Sequence, residues 1–268
     1  MSRLRVRPHL PEADGCVLDI TPESAGWSQV GFKVCKLKPG QTVQGGEPDR
    51  EACLVVLTGT TDIAVAGEAF HGIGSRQSLF DDIAPGAVYA PAGAAFTVTA
   101  VTEAEVAICT ARGAPGRSAR VIASGRMSRE VRGQGGNQRF VRNILPETEP
   151  ADSLLVVEVI TPGGHWSSYP PHKHDRDTPQ EESALEETYY HRLNPSQGFA
   201  FQRVYTDDRS LDETVSVEDG DVVMVPRGYH PVGAPYGYDL YYLNVMAGPK
   251  RTWIFRNDPA HDWIVRRP

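Results

Sequence analysis

The sequence is poor in several features that mark whole classes of protein. Its four cysteines, Cys16, Cys35, Cys53 and Cys109, lie far apart, all in the N-terminal half, and none forms a C-x-x-C pair. A disulfide framework is therefore not expected, and small buried hydrophobes in a reducing cytosol are. No apolar run approaches the ~18 residues of a membrane span. The opening stretch MSRLRVRPHL lacks the apolar core of a secretory leader. A cytoplasmic protein with no membrane partner is the expectation. Basic residues are in deficit, 27 Lys and Arg against 34 Asp and Glu, a formal charge of −7. Nucleic acid is excluded as an expected partner, because phosphate binding needs a basic field. No long stretch carries a helical period.

What is present is strand grammar. The 26 glycines and 21 prolines are spread along the chain, as in a protein of many short strands and turns. Runs rich in β-branched and aromatic residues recur at 26–37, 52–59, 61–67 and 105–111. They recur again at 153–161, 187–193, 199–206, 221–226 and 238–246, with Gly, Pro, Asn and Asp between them. An all-β fold of closed or sandwiched sheets follows. There is also a weak internal repeat: PGAVYAPAGAAF (85–96) resembles DGDVVMVPRGYH (219–230), each an apolar strand ending in Pro-x-Gly. The reading is two copies of one β-barrel unit, 1–125 and 126–268, with the polar, glycine-rich stretch 123–138 as linker.

Chemistry concentrates in PPHKHDRDTPQEESALEETYYHR, residues 170–192. In an extended strand, residues two apart face one side, so His172 and His174 aim at one point. Glu187 opens the next strand, with Tyr189 and His191 on its face. His230 closes the later Pro-x-Gly-x-His turn. The imidazoles of His172, His174 and His230 with the Glu187 carboxylate suit Zn, Fe, Mn, Co or Ni and are poor for Ca or Mg. Zinc is expected in the purified protein, with Fe2+, Mn2+ or Co2+ as working alternatives. The catalytic candidates beside the metal are His191, Tyr189 and Glu187. The residues expected to line a substrate site are Arg142, Gln202, Arg203, Tyr205, Tyr242 and Asn244. Such polar walls suit a small, oxygenated, anionic substrate, with an arginine holding its carboxylate in bidentate fashion.

This set resembles the two cupin motifs. His172-Lys173-His174, Glu187, Gly220, Pro226, Gly228 and His230 match them, with Asn194 where a glycine is usual. Two departures stand out. Twelve residues separate His174 from Glu187, where three or four are usual, and the His230 turn is one residue shorter. The first implies an inserted loop, DRDTPQEESALE, and leaves Glu182 and Glu186 as rival ligands. In the first copy Ala52 stands in the place of Glu187 and Ala95 in that of His230, and residues 1–125 contain no His-x-His. That barrel is expected to hold no metal.

Longer stretches carry a narrower resemblance. TPESAGWSQVGFKV, RGQGGNQRFVRNILPE, ADSLLVVEVITPGGHWSSYPPHKHD, LEETYYHRLNPSQGFAFQRVYTDDRSLDE, VPRGYHPVGAPYGYDLYYLNVMAGP and NDPAHDW are similar to the 5-deoxy-glucuronate isomerase family. The resemblance implies a bicupin fold of two double-stranded β-helix (jelly-roll) barrels. It also implies an aldose–ketose isomerisation of a sugar acid in myo-inositol breakdown. The titratable face of His191, Tyr189 and Glu187 beside the metal suggests metal-assisted proton transfer through an enediol, with a metal-assisted hydride shift as the rival route. Two other readings of the ligand set are a cupin dioxygenase and a non-enzymatic sugar-acid-binding bicupin. A homo-oligomer is expected from the sheet edges of the degenerate barrel.

Overall fold

The computed structural model describes residues 2–266. The β-branched runs become strands with alternating burial where one face meets the core, as in Thr61–Val65 and Phe96–Ala100. Central strands such as Arg50–Thr58 are buried almost throughout. The first part of the chain carries β1 (Arg5–Val6), β2 (Cys16–Ile20), β3 (Gly31–Leu37), β4 (Thr42–Gly45), β5 (Arg50–Thr58) and β6 (Thr61–Val65). It continues through β7 (Glu68–Ile73), β8 (Gly86–Ala90), β9 (Phe96–Ala100), β10 (Ala104–Arg112) and β11 (Arg120–Val121). The second part carries β12 (Arg129–Arg132), β13 (Arg139–Leu145), β14 (Leu155–Thr161), β15 (Trp166–Ser167), β16 (His172–Lys173) and β17 (Glu186–Asn194). It ends with β18 (Ala200–Tyr205), β19 (Asp212–Val217), β20 (Val222–Val225), β21 (Val232–Gly233), β22 (Asp239–Ala247) and β23 (Arg256–Asn257).

The chain divides into two compact units, one of residues 8–128 and 143–156, the other of 1–7, 129–142 and 157–268. The units are not consecutive halves of the sequence. The stretch 123–138, expected as linker, contains β12, which pairs in antiparallel register with β13, Arg132 opposite Arg139 and Arg129 opposite Arg142. Glycine and charge marked it as a loop, but β-pairing with the next strand organises its middle.

The internal repeat is visible in the strand order. One unit has sheets β11-β8-β5-β10-β3-β2 and β4-β9-β6-β7. The other has β1-β20-β17-β22-β14-β13-β12 and β15-β21-β18-β19. Replacing β2 to β10 by β13, β14, β15 and β17 to β22 in turn converts the first order into the second. The exceptions are the edges and β16, which is extra and pairs with β23. Residues facing inward in the first unit form its core, among them Leu54, Val56, Ile63, Val88, Phe96, Val98 and Val106. Both Pro-x-Gly turns need a left-handed glycine, Gly93 at φ +80 and Gly228 at φ +94. A Cβ on Gly228 would also stand 2.5 Å from the Tyr205 carbonyl oxygen. No helix among the described residues is long and apolar enough to cross a membrane.

Candidate metal centre

Strand β16 is short because it belongs to no large sheet; the C-terminal segment holds it. His172 and Lys173 pair with Asn257 and Arg256, and Asp258 N donates to the Pro171 carbonyl at 2.8 Å. Lys173 is buried and directed to Asp207, whose other oxygen accepts from Tyr229 Oη at 2.8 Å. With the lysine anchored on one side, His172 and His174 occupy the other. Asp175 then ties this segment to the later turn, its Oδ1 accepting from Gly228 N at 2.6 Å.

His172, His174 and His230 are buried, and each offers a ring nitrogen within 4.8 Å of the others. His230 Nδ1 faces the Gly228 carbonyl at 2.8 Å and His174 Nδ1 the Leu185 carbonyl at 3.2 Å. Each carbonyl fixes the ring so that Nε2 points into the cluster, the outer-sphere pattern that orients metal-binding histidines. There His230 Nε2 is buried with no hydrogen-bond partner, and His174 Nε2 abuts Glu187 Oε1. Glu187 is 1% exposed, and its Oε2 lies 3.7 Å from His230 Nε2 and accepts from Asn244 Nδ2 at 3.0 Å. A buried imidazole nitrogen left unpaired beside a carboxylate is an arrangement that a bound cation would complete.

Electrostatics point the same way. Burial, reinforced by His230 and His174, pushes His172 well below the ordinary imidazole value, so it is neutral and its lone pair is free to bind. Burial also lowers His230. Burial opposes charge on His174, but the adjacent Glu187 carboxylate prevails and raises it. Burial would raise Glu187, yet His174 and His230 hold it far below the usual carboxylate range.

Of the rival carboxylates, Glu182 accepts from Asp175 N at 2.5 Å. Glu186 precedes Glu187 on β17 and so faces the other side. Tyr189 follows on the Glu187 face. Its hydroxyl is 3.2 Å from Ser168 Oγ, and its ring centroid is 5.7 Å from His230 and 4.9 Å from Tyr242. Ser168 reaches it from a left-handed backbone, φ 49, which few serines adopt. Burial and the Glu187 charge raise the Tyr189 hydroxyl well above its ordinary value. His191 is fully buried, with Nε2 2.9 Å from Gln202 Oε1, and Gln202 Nε2 reaches the His230 carbonyl at 3.5 Å. Burial pushes His191 down to about 4.

Of the six residues expected to line the substrate site, Gln202, Tyr242 and Asn244 accompany these groups. Tyr242 and Asn244 lie opposite His191 and Tyr189 across β17 and β22. The other three are engaged elsewhere. Arg203 and Tyr205 alternate with Gln202 along β18 and take its opposite face. Arg203 forms a bidentate pair with Asp212 at 2.8 Å, and Tyr205 donates to Asp258 at 2.8 Å. Arg142 pairs with Glu158 at 3.2 Å. Beside His172 opens a cavity of about 690 Å³, lined also by Arg139, Tyr169, Trp253 and Phe255. Sequence reading passed over these four. Phe255, its ring 4.6 Å from that of His172, is far along the chain, and only the β16–β23 pairing brings it there.

A histidine cluster with a carboxylate, set in one of two barrels of the same topology, defines a bicupin with a site for a divalent metal ion. An oxalate decarboxylase from Lactobacillus farciminis shares the fold at a TM-score of 0.67 and 15% identity, over 100% of this chain and 91% of that one. Residues 4–264 match the model of the KduI/IolB family, and the chain belongs to that family. It is 56% identical to a 5-deoxy-glucuronate isomerase of Geobacillus kaustophilus, over 99% of this chain and 96% of the relative. The crystal structure of an IolB-like protein from Salmonella typhimurium LT2 superposes at a TM-score of 0.94 with 49% identity, covering 97% and 98% of the two chains.

Proposed function

We propose that the chain interconverts 5-deoxy-D-glucuronate and 5-dehydro-2-deoxy-D-gluconate, an aldose–ketose isomerisation of myo-inositol catabolism. The site is a divalent cation held by His172, His174, Glu187 and His230. The observation that carries this reading is the unpaired Nε2 of His230 facing the Glu187 carboxylate, in a chain 56% identical to a 5-deoxy-glucuronate isomerase. Three neutral-type nitrogen donors and one carboxylate favour zinc, with Fe2+, Mn2+ or Co2+ able to serve.

When bound, a divalent cation supplies Lewis acidity that polarises the substrate carbonyl and acidifies the adjacent carbon. The chain's own residues then manage the proton. Tyr189, whose raised pKa keeps its hydroxyl protonated, donates at the carbonyl oxygen and recovers a proton from the neighbouring hydroxyl as that oxygen becomes the new carbonyl. His191, neutral at physiological pH, accepts the proton from carbon and returns it to the neighbouring carbon, so that a cis-enediol lies between aldose and ketose. Gln202 holds the His191 ring, and Asn244 holds Glu187. The four buried free thiols support a reducing, cytoplasmic setting. Self-association as a homo-oligomer completes the reading.

Turnover in deuterated water tests the proton route. The enediol places solvent deuterium on the product carbon at early conversion, and its absence would favour a hydride shift. Consumption of oxygen during turnover would favour the dioxygenase reading.

A further inference from the structure

The cavity beside His172 carries an unassigned charge. Two arginines line it, Arg132 and Arg139, and no acidic side chain does among the described residues. Arg132 pairs with Glu130 at 2.9 Å and stacks over Trp253 at 5.0 Å. Arg142 and Arg203 are neutralised too, Arg142 by Glu158 and Arg203 by Asp212. Arg139 differs. Its Nη1 donates only to backbone carbonyls, Asn137 at 3.1 Å and Tyr169 at 3.4 Å, and no carboxylate of the described residues lies within ion-pair distance. It is half-buried, and burial disfavours its charge. Its charge is close enough to the site to act on His172 and Tyr242. A half-buried guanidinium without a counterion is costly to keep, and a cavity that keeps one is prepared for an anion.

We infer that Arg139 binds the carboxylate of the substrate and sets the preference of the site for a sugar acid over a neutral sugar. The inference deepens the proposed function and rests on it for the identity of the sugar. The two carbonyl contacts hold one edge of the guanidinium and leave other N–H groups for a two-point contact with a carboxylate. Arg139 begins β13, and Arg142, three residues on, takes the opposite face of the strand. The arginine that pairs with Glu158 and the arginine that faces the cavity are thus separated by strand parity alone.

The test uses full-length, metal-loaded wild type, Arg139→Gln and Arg139→Lys. Calorimetry measures binding of D-glucuronate and of D-glucose, and a thermal melt checks folding. Wild type is expected to prefer glucuronate. Arg139→Gln should lose about 10- to 100-fold in glucuronate affinity, the range of charge-assisted hydrogen bonds, with glucose affinity within about threefold. Arg139→Lys should restore part of the preference. Equal losses for both sugars, a preference that survives Arg139→Gln, or no preference in wild type would overturn the inference. Turnover of 5-deoxy-D-glucuronate by wild type is scored separately. If it is absent while the acid preference depends on Arg139, the proposed reaction fails and the anion site stands.

Discussion

Glu187 and Ala52 occupy the same register position in two copies of one sheet. Glu187 pairs with Val225, the residue before Pro226, and Ala52 pairs with Ala90, the residue before Pro91. One copy puts a carboxylate at the barrel end and the other a methyl group. The cavity at that end of the first unit is lined by Ala52, Ala90, Phe96 and Ile108 together with charged residues such as Asp19, Glu47, Asp49 and Arg50, and by no histidine of the described residues. The three-histidine cluster His172, His174 and His230 is the one such group among the described residues. Metal analysis of purified protein should therefore give one divalent ion per chain. Glu187→Gln should lower that occupancy, and two equivalents would contradict the asymmetry.

Asn244 sits directly behind the proposed ligand set. Its Nδ2 donates to Glu187 Oε2 at 3.0 Å and to the Thr188 carbonyl at 3.3 Å. Asn244→Leu removes the donor at similar volume and frees the carboxylate to turn. Metal affinity should fall about 10- to 100-fold, the usual effect of losing such a partner, with the fold intact by circular dichroism. Titration with a competing chelator measures it, and unchanged affinity would show that Glu187 needs no support.

His191 gives the protein a particular acid sensitivity. Its folded pKa is depressed to about 4 from an ordinary 6.5. The unfolded chain takes up this proton below about 6.5 and the folded chain only near 4. The stability linked to His191 is thus whole above 6.5 and declines as pH falls through that window. The full effect is about 3 kcal/mol. Urea unfolding at pH 7 and pH 4.5, with the metal state held fixed, should show a smaller acid loss for His191→Gln than for wild type. Equal losses would place the acid sensitivity elsewhere.

Much of this arrangement was legible in the sequence, and the reason is local. The β-branched runs, the repeated Pro-x-Gly and the His-x-His spacing are each properties of a few adjacent residues, and strand parity alone puts Glu187, Tyr189 and His191 on one face. What was not legible depends on parity without an anchor or on distant pairing. Nothing local distinguishes Arg139 from Arg142, and the polar Arg203 and Tyr205 are as plausible by type as Gln202, whose face they do not share. Trp253 and Phe255 come to His172 only because β23 pairs with β16, a contact across most of the second unit's sequence. The same holds within 123–138: β12 has little intrinsic strand character and is fixed by its pairing with β13.

Glu51 is a second buried carboxylate with a different task. It is wholly buried next to Ala52, and it accepts from the backbone N–H groups of Asp152, Ser153 and Leu154 at 2.7, 2.6 and 2.7 Å and from Tyr89 Oη at 2.6 Å. It gathers the loop before β14 onto the first unit's sheet. Glu51→Ala leaves those buried donors without an acceptor and should cost about 3 kcal/mol or more. Denaturant unfolding tests this, and a cost below about 1 kcal/mol would mean that water replaces the carboxylate.

In the proposed function, His172, His174, Glu187 and His230 together hold one cation that makes the chain a sugar-acid isomerase. The direct measurement follows 5-deoxy-D-glucuronate by NMR under anaerobic conditions, with metal-stripped protein, reloaded protein and reloaded His230→Ala. Conversion to 5-dehydro-2-deoxy-D-gluconate is expected from the reloaded wild type alone. Equal conversion by the stripped protein or by His230→Ala, or no conversion by the reloaded wild type, would contradict it.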